Sequence, residues 1–270
     1  MGVDGTRDQR GRFLKGVIGN PGGRPKGLAE RHNNPAKAIG SLRRGPDVLE
    51  SRRGAHTAQA PSNQSMRKGV EHMDVFEAME TCRAIRYLRP DPVPEELIQK
   101  LIYAATRASN PGNSQGWEFV ALRDPALKAP IGKALDEALA PVWALLDDRG
   151  DPVQRRIFRG AEHLVRHFAE VPLWVVVCAR KVYPPQAPDE RFVWSTVYPA
   201  AQNLVLGARA LGLGTTFTTF HQDMEPTFRK VLGIPAEVYI GSTIAVGFPD
   251  RPFGPVVRKP VDDVLHWDRW

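Results

Sequence analysis

The sequence predicts a helix-rich α+β fold, carried by residues 73–270 of a 270-residue chain. Three observations predict it. Segments with helical spacing outnumber those with strand character. Their order does not repeat as the β–α–β units of a doubly wound sheet. Apolar bulk is confined to the same stretch: of 11 Phe, 6 Trp and 5 Tyr, only Phe13 precedes position 73.

The elements follow in order. Residues 74–81 read as a short amphipathic helix. Pro90, Pro92 and Pro94 make a turn, and Pro94-Glu95-Glu96 opens the next helix. Proline fits a first turn, and acids there complement the helix dipole. Leu97, Ile98, Leu101, Ile102 and Ala105 recur along it at helical spacing. The polar run from Ser109 to Gly116 is a loop leading into a strand over Trp117–Leu122. Helices are expected over 125–146 and 153–169, the second marked by Ile157, Leu164, Val165 and Phe168. The β-branched apolar run 173–178 is a buried strand. A long helix spans 191–211, apolar at Val197, Ala201, Leu204, Ala208 and Leu211, and Gly212 ends it. A strand over 215–219, a helix over 225–232 and a strand over 238–247 complete the pattern.

The net charge of +7 divides unevenly. Residues 1–72 hold 14 Lys/Arg against 6 Asp/Glu, whereas 73–270 hold 23 against 24. The first segment also holds 12 of the 24 glycines, so it lacks the apolar side chains that offset backbone ordering. It is expected to be a basic, Gly/Pro-rich, largely disordered extension to a folded domain of 73–270. Met73 stands where the amphipathic pattern begins, which suits translation starting there. Gly22-Gly23-Arg24-Pro25-Lys26-Gly27 is no phosphate-binding P-loop, because no Ser or Thr follows Lys26 and no strand precedes it. Residues 8–27 resemble a short Gly/Arg/Pro motif that opens some phage-associated proteins, a likeness that carries no mechanism. Without interleaved aromatics for base stacking, the segment argues weakly for nucleic acid.

Other classes are excluded on composition. No apolar run is long enough for a membrane helix, and the N-terminus lacks the apolar core of a secretory signal. Cys82 and Cys178 are too few for a disulfide framework and suit a reducing cytoplasm. His163 and His167 share a helix face, but no third ligand stands at motif spacing, so a solvated face is expected there and no metal. Gly212-Leu213-Gly214 lacks a third glycine and follows a helix, so it is not a dinucleotide fingerprint. No Gly-x-Ser-x-Gly or His-Glu-x-x-His run is present.

What remains suits a planar, anionic ligand. Arg83 and Arg86 set two guanidinium groups three residues apart, able to hold a phosphate through paired charge-assisted bonds. Asn110-Pro111-Gly112-Asn113-Ser114-Gln115 is an amide-rich loop fit for the carbonyl and imide edges of a heteroaromatic ring. Thr215-Thr216-Phe217-Thr218-Thr219 offers hydroxyls and backbone donors, and Arg258-Lys259-Pro260 adds positive charge near the C-terminus.

Taken together and in order, these blocks resemble the FMN-dependent nitroreductase family from Met73 to Trp270. The resemblance is carried by four blocks. They are Cys82-Arg83-Ala84-Ile85-Arg86 with Pro92-Val93-Pro94-Glu95-Glu96-Leu97; Ala104-Ala105-Thr106-Arg107-Ala108-Ser109 with Asn113-Ser114-Gln115-Gly116-Trp117; Ala208-Arg209-Ala210-Leu211-Gly212-Leu213-Gly214; and Val246-Gly247-Phe248-Pro249 with Arg258-Lys259-Pro260. It implies a central, mostly antiparallel sheet flanked by helices, and an intertwined homodimer with FMN at the subunit interface. It also implies that Arg83 and Arg86 grip the FMN phosphate, helped by Arg258. Ala84 stands where the family often has Ser, and Cys82 where it often has Arg. Asn110, Pro111 and Asn113 would reach the flavin from the other subunit, in a loop that departs from the common Pro-Ser-Gly-Gly-Asn. Thr218 and Thr219 match positions facing the ring. The implied activity is hydride transfer from NAD(P)H through flavin N5 to a flat acceptor such as a nitroaromatic or quinone. Because the flavin carries the chemistry, no catalytic side chain is expected. The alternatives are reductive dehalogenation of a halophenol, flavin binding without turnover, and a flavodomain docked to nucleic acid by its basic tail. The first needs a polar lid, and the lid region, about 140–168, contains Asp147, Asp148, Arg149, Arg155 and Arg156 without deciding it.

Overall fold

The strand Leu173–Arg180 is buried along almost its whole length. A Val-rich run with no polar face must be covered on both sides, and this requirement organises the fold. The computed structural model describes residues 73–144 and 151–270. Residues 1–72, with the 8–27 motif, and Asp147, Asp148 and Arg149 lie outside the described residues.

In chain order the elements are α1 (Val75–Thr81), α2 (Glu95–Ala105), β1 (Trp117–Leu122), α3 (Pro125–Ala144), α4 (Pro152–Arg166), β2 (Leu173–Arg180), α5 (Arg191–Ala210), β3 (Gly214–Thr218), α6 (His221–Leu232) and β4 (Val238–Gly247). The strands form one four-stranded sheet in the order β1-β2-β4-β3, every neighbouring pair antiparallel. This is the α+β architecture expected, with β1 and β3 at opposite edges. A parallel bridge between Ala84 and Thr215 extends the sheet beyond β3.

Alternation along β2 sends Val175, Val177 and Ala179 to one face, where α2 and α5 pack through Leu101, Val197, Ala201 and Leu204. Trp174, Val176 and Cys178 point the other way, against Ile131 of α3, Leu164 of α4 and Phe228 of α6. The ring of Trp174 stacks on Phe168 at 4.1 Å, and its indole N–H donates to the Phe168 carbonyl at 2.9 Å. The described residues are thus arranged as helix, sheet, helix in layers.

Boundaries differ from expectation at several ends. α6 begins four residues before 225, because the chain turns through a kink at Met224 rather than starting afresh at Pro226. α4 stops at Arg166, and β2 runs two residues beyond Cys178. β3 ends at Thr218, leaving Thr219 outside the sheet. Asp74 caps α1, its carboxylate accepting from the Phe76 N–H at 2.7 Å.

Candidate functional site

Residues 82–88 have no regular structure of their own, so their backbone groups need outside partners. The edge of β3 supplies them. The Ile85 N–H donates to the Thr215 carbonyl at 2.8 Å, and the Thr216 hydroxyl donates to the Ile85 carbonyl at 2.7 Å. Farther on, Leu88 bridges Pro249, and the Asp250 N–H donates to the Tyr87 carbonyl at 3.1 Å. The chain after β4 therefore runs back beside this segment. It is fastened again where the Val256 N–H meets the Glu80 carbonyl at 2.8 Å and where Arg209 lies over the Phe253 ring at 4.0 Å.

Segment 82–87, segment 251–258 and one face of α4 enclose a cavity of about 710 Å³. Arg83, Ala84, Arg86 and Arg258 all line it, so four of the predicted site residues come together. Arg86 packs along α4: a Cβ at Gly160 would sit 2.8 Å from its Cδ, so only glycine leaves the arginine this path. Arg83 lies against segment 251–258, where a Cβ at Gly254 would be 3.2 Å from its guanidinium. Burial, and then the Arg83 charge, lower the pKa of Arg86. Two like charges held this close favour an anion between them. Cys82 forms part of the wall; burial raises its thiol pKa, and Arg209 and Arg258 partly oppose this. Two further arginines, Arg156 and Arg251, line the same cavity. In sequence Arg156 stands out only as part of the lid region, and nothing marks Arg251. They lie far apart in sequence, and only the topology joins them.

Arg251 lies over the face of Tyr87 at 4.2 Å, Tyr87 stacks on His163 at 4.3 Å, and His163 meets His167 at 4.1 Å. The two histidines are therefore half-buried in a column and not on a solvated helix face, because Tyr87 covers His163 and His163 in turn lies against His167. Burial, then His167, lowers the His163 pKa; Glu170 opposes and Arg251 reinforces the shift. Among the described residues no group of His, Cys, Asp and Glu is placed to hold a metal ion.

The remaining predicted residues lie elsewhere. Asn110, Pro111 and Asn113 sit in the loop before β1, around a 3-10 turn at Pro111–Asn113. Gly112, Asn113 and Gln115 all have positive φ (57°, 49° and 52°). The Asn110 side-chain carbonyl accepts from the Gln115 N–H at 2.8 Å and so holds this left-handed path. A Cβ at Gly112 would run into the Tyr183 ring, which fixes the loop from outside. Thr218 donates its hydroxyl hydrogen to the Thr243 carbonyl at 2.6 Å, inside the sheet, while Thr219 is exposed. The amide loop precedes one edge strand and the arginines flank the other. At about 4.8 Å per strand, one chain separates the two sets by several strand widths.

The layers and the edge cavity define a class: a three-layer α+β protein with a cationic cavity walled by a segment laid along its outermost strand. Within that class the chain belongs to the Nitroreductase family, whose profile matches residues 80–248. The "NADH dehydrogenase" of Thermus thermophilus is 31% identical over 196 residues, covering 68% of this chain and 91% of that protein. Two solved structures share the fold. Oxidised iodotyrosine deiodinase bound to FMN and 3-iodo-L-tyrosine aligns with a TM-score of 0.59 and 19% identity, over 73% of this chain and 100% of that one. NADPH:FMN oxidoreductase from Vibrio harveyi complexed with NAD+ aligns at 0.54 and 19%, over 73% and 77%.

Proposed function

We propose that the protein is an FMN-dependent oxidoreductase that passes a hydride from NAD(P)H to a flat acceptor such as a nitroaromatic or quinone, working as a homodimer. The observation that carries this reading is the convergence of Arg83, Arg86 and Arg258 on one cavity whose lining, among the described residues, holds no Asp or Glu. The donor set fits a phosphate ester: planar forks on one cavity, Arg86 packed beside Gly160 and Arg83 beside Gly254, with Arg258 giving one N–H to the Val257 carbonyl. Family membership and the relatives named for NADH dehydrogenase activity support the choice of FMN and of a nicotinamide donor.

When bound, FMN supplies the two-electron chemistry. The chain's own residues bind and orient. Arg83, Arg86 and Arg258 anchor the phosphate end, and Ala84 presents a methyl where a hydroxyl would add a bond. Thr218 and Thr219 offer backbone groups toward the ring end. Asn110, Pro111 and Asn113 reach that end from a second copy, which resolves their separation from the arginines within one chain. The homodimer is further supported by apolar side chains at the ends of the described region, with Phe76 68% and Trp267 81% exposed. No helix among the described residues is long and apolar enough to cross a membrane.

The test is direct. Purified protein carries a yellow, FMN-type absorbance that NADH or NADPH bleaches and a nitroaromatic or quinone restores. A dimer that stays colourless with added FMN overturns the proposal. Bleaching without reoxidation by either acceptor, but with reoxidation by a halophenol, moves the assignment to reductive dehalogenation. No bleaching by either nucleotide reduces it to flavin binding alone.

A further inference from the structure

The charge of the cavity exceeds what one phosphate needs. A phosphate monoester carries about −1.5 to −2 at neutral pH, which Arg83 and Arg86 match, with Arg258 in addition. Arg156 and Arg251 also line the cavity, and among the described residues no carboxylate does. Arg251 is stacked on Tyr87, an arrangement that leaves its charge and edge donors intact.

Arg156 differs in setting. Val153, Arg156, Ile157 and Gly160 line the cavity from α4 at spacings that place them on one helix face. Gly160, at the inner end, touches Arg86. Arg156 stands four residues before it, about 6 Å along the axis at 1.5 Å per residue. Among the described residues no acid is within ion-pair distance of it. Val153 and Ile157 beside it are 51% and 45% exposed, apolar surface that a ligand would cover. A guanidinium flanked by two apolar side chains on the α4 wall matches an anionic group carried on a flat or sugar-like body.

We propose that the cavity receives a second anionic group besides the flavin phosphate, a phosphate or carboxylate on the hydride donor or on the acceptor, and that Arg156 selects for it. The inference rests on the FMN reading above. It names a specificity-determining residue, since the group bears on which reactant binds and not on the transfer itself.

The experiment compares FMN-loaded full-length protein with its Arg156→Gln variant on two matched pairs: NADPH against NADH, and 4-nitrobenzoate against nitrobenzene. Calorimetric titration with 2′,5′-ADP and with 5′-AMP gives a readout independent of turnover. The variant is expected to lose kcat/KM for the charged member of one pair at least about tenfold more than for its neutral or less charged counterpart, the scale of one bond to a charged group. Loss on NADPH together with loss of 2′,5′-ADP binding assigns the group to the donor. Loss on 4-nitrobenzoate alone assigns it to the acceptor. Equal losses within both pairs, as a merely structural role would produce, or no loss at all, overturn the inference. Wild-type protein that retains no FMN overturns the function reading as well, so the two failures are distinct.

Discussion

At the β3 edge, Arg83 and Arg86 belong to a segment held by its backbone, through Ile85 and Thr215, so their side chains remain available to a cavity. At the β1 edge the reverse holds. Asn110 spends its side-chain carbonyl on Gln115, and Gly112 lies beneath Tyr183, so side chains are consumed to hold an unusual backbone path. The contrast teaches that an edge segment can present chemistry in two ways. One edge offers side chains on a pinned backbone; the other offers a shaped backbone pinned by side chains.

The comparison is most exposed to Arg86→Ala. It should weaken FMN binding by about 1.5–3 kcal/mol, or roughly 10- to 150-fold, the usual worth of a hydrogen bond to a charged group. Fluorescence titration with FMN and riboflavin checks this: the loss should appear for FMN and not for riboflavin, which lacks the phosphate. Gly112→Val tests the other edge. A β-branched residue at φ 57°, meeting the Tyr183 ring, should cost about 1–3 kcal/mol in denaturant unfolding. It should weaken FMN and riboflavin alike, because the phosphate grip is untouched. Equal discrimination by both variants would erase the distinction between the edges.

Thr216→Val removes the hydroxyl that donates to Ile85. Its effect should be near 1 kcal/mol of stability, with FMN affinity falling less than in Arg86→Ala. The smallest effect concerns pH. The amide loop 110–115 contains no titratable side chain, whereas the β3 edge has His163 under Tyr87. Its pKa is lowered from the ordinary 6.5, so the folded state disfavours the protonated ring. That contribution is complete above pH 6.5 and is lost as pH falls below it. The fall in Tm between pH 7.5 and pH 5.5 should therefore shrink in His163→Gln.

Much of the fold was legible as periodicity. The apolar run at 173–178 and the helical stripe of 191–211 had one interpretation each, and β1 and β4 fell where expected. The helix expected over 225–232 begins at His221, since the non-helical Met224 interrupts the pattern that would extend it backwards. The arginine pair could be read from its spacing, since both members lie within four residues. Arg156 and Arg251 could not, because their neighbours are set by strand order and by the return of the C-terminal segment. The histidine pair was read as solvated, since nothing local announces that Tyr87 will lie on it. Threonine identity likewise says nothing about direction: Thr216 and Thr218 both turn their hydroxyls to backbone carbonyls.

The anchoring of segment 82–88 along β3 has a consequence for solubility. An outermost strand left bare is a template for strands of other molecules, and proteins commonly cover such edges with a loop. Here the cover is the arginine-bearing segment itself, seated at Ala84–Thr215 and again at Leu88–Pro249. A substitution that unseats it would open a ladder of unpaired amides on Gly214–Thr218 along with the cavity. Loss of ligand and onset of self-association would then arrive together, as one event seen in two assays.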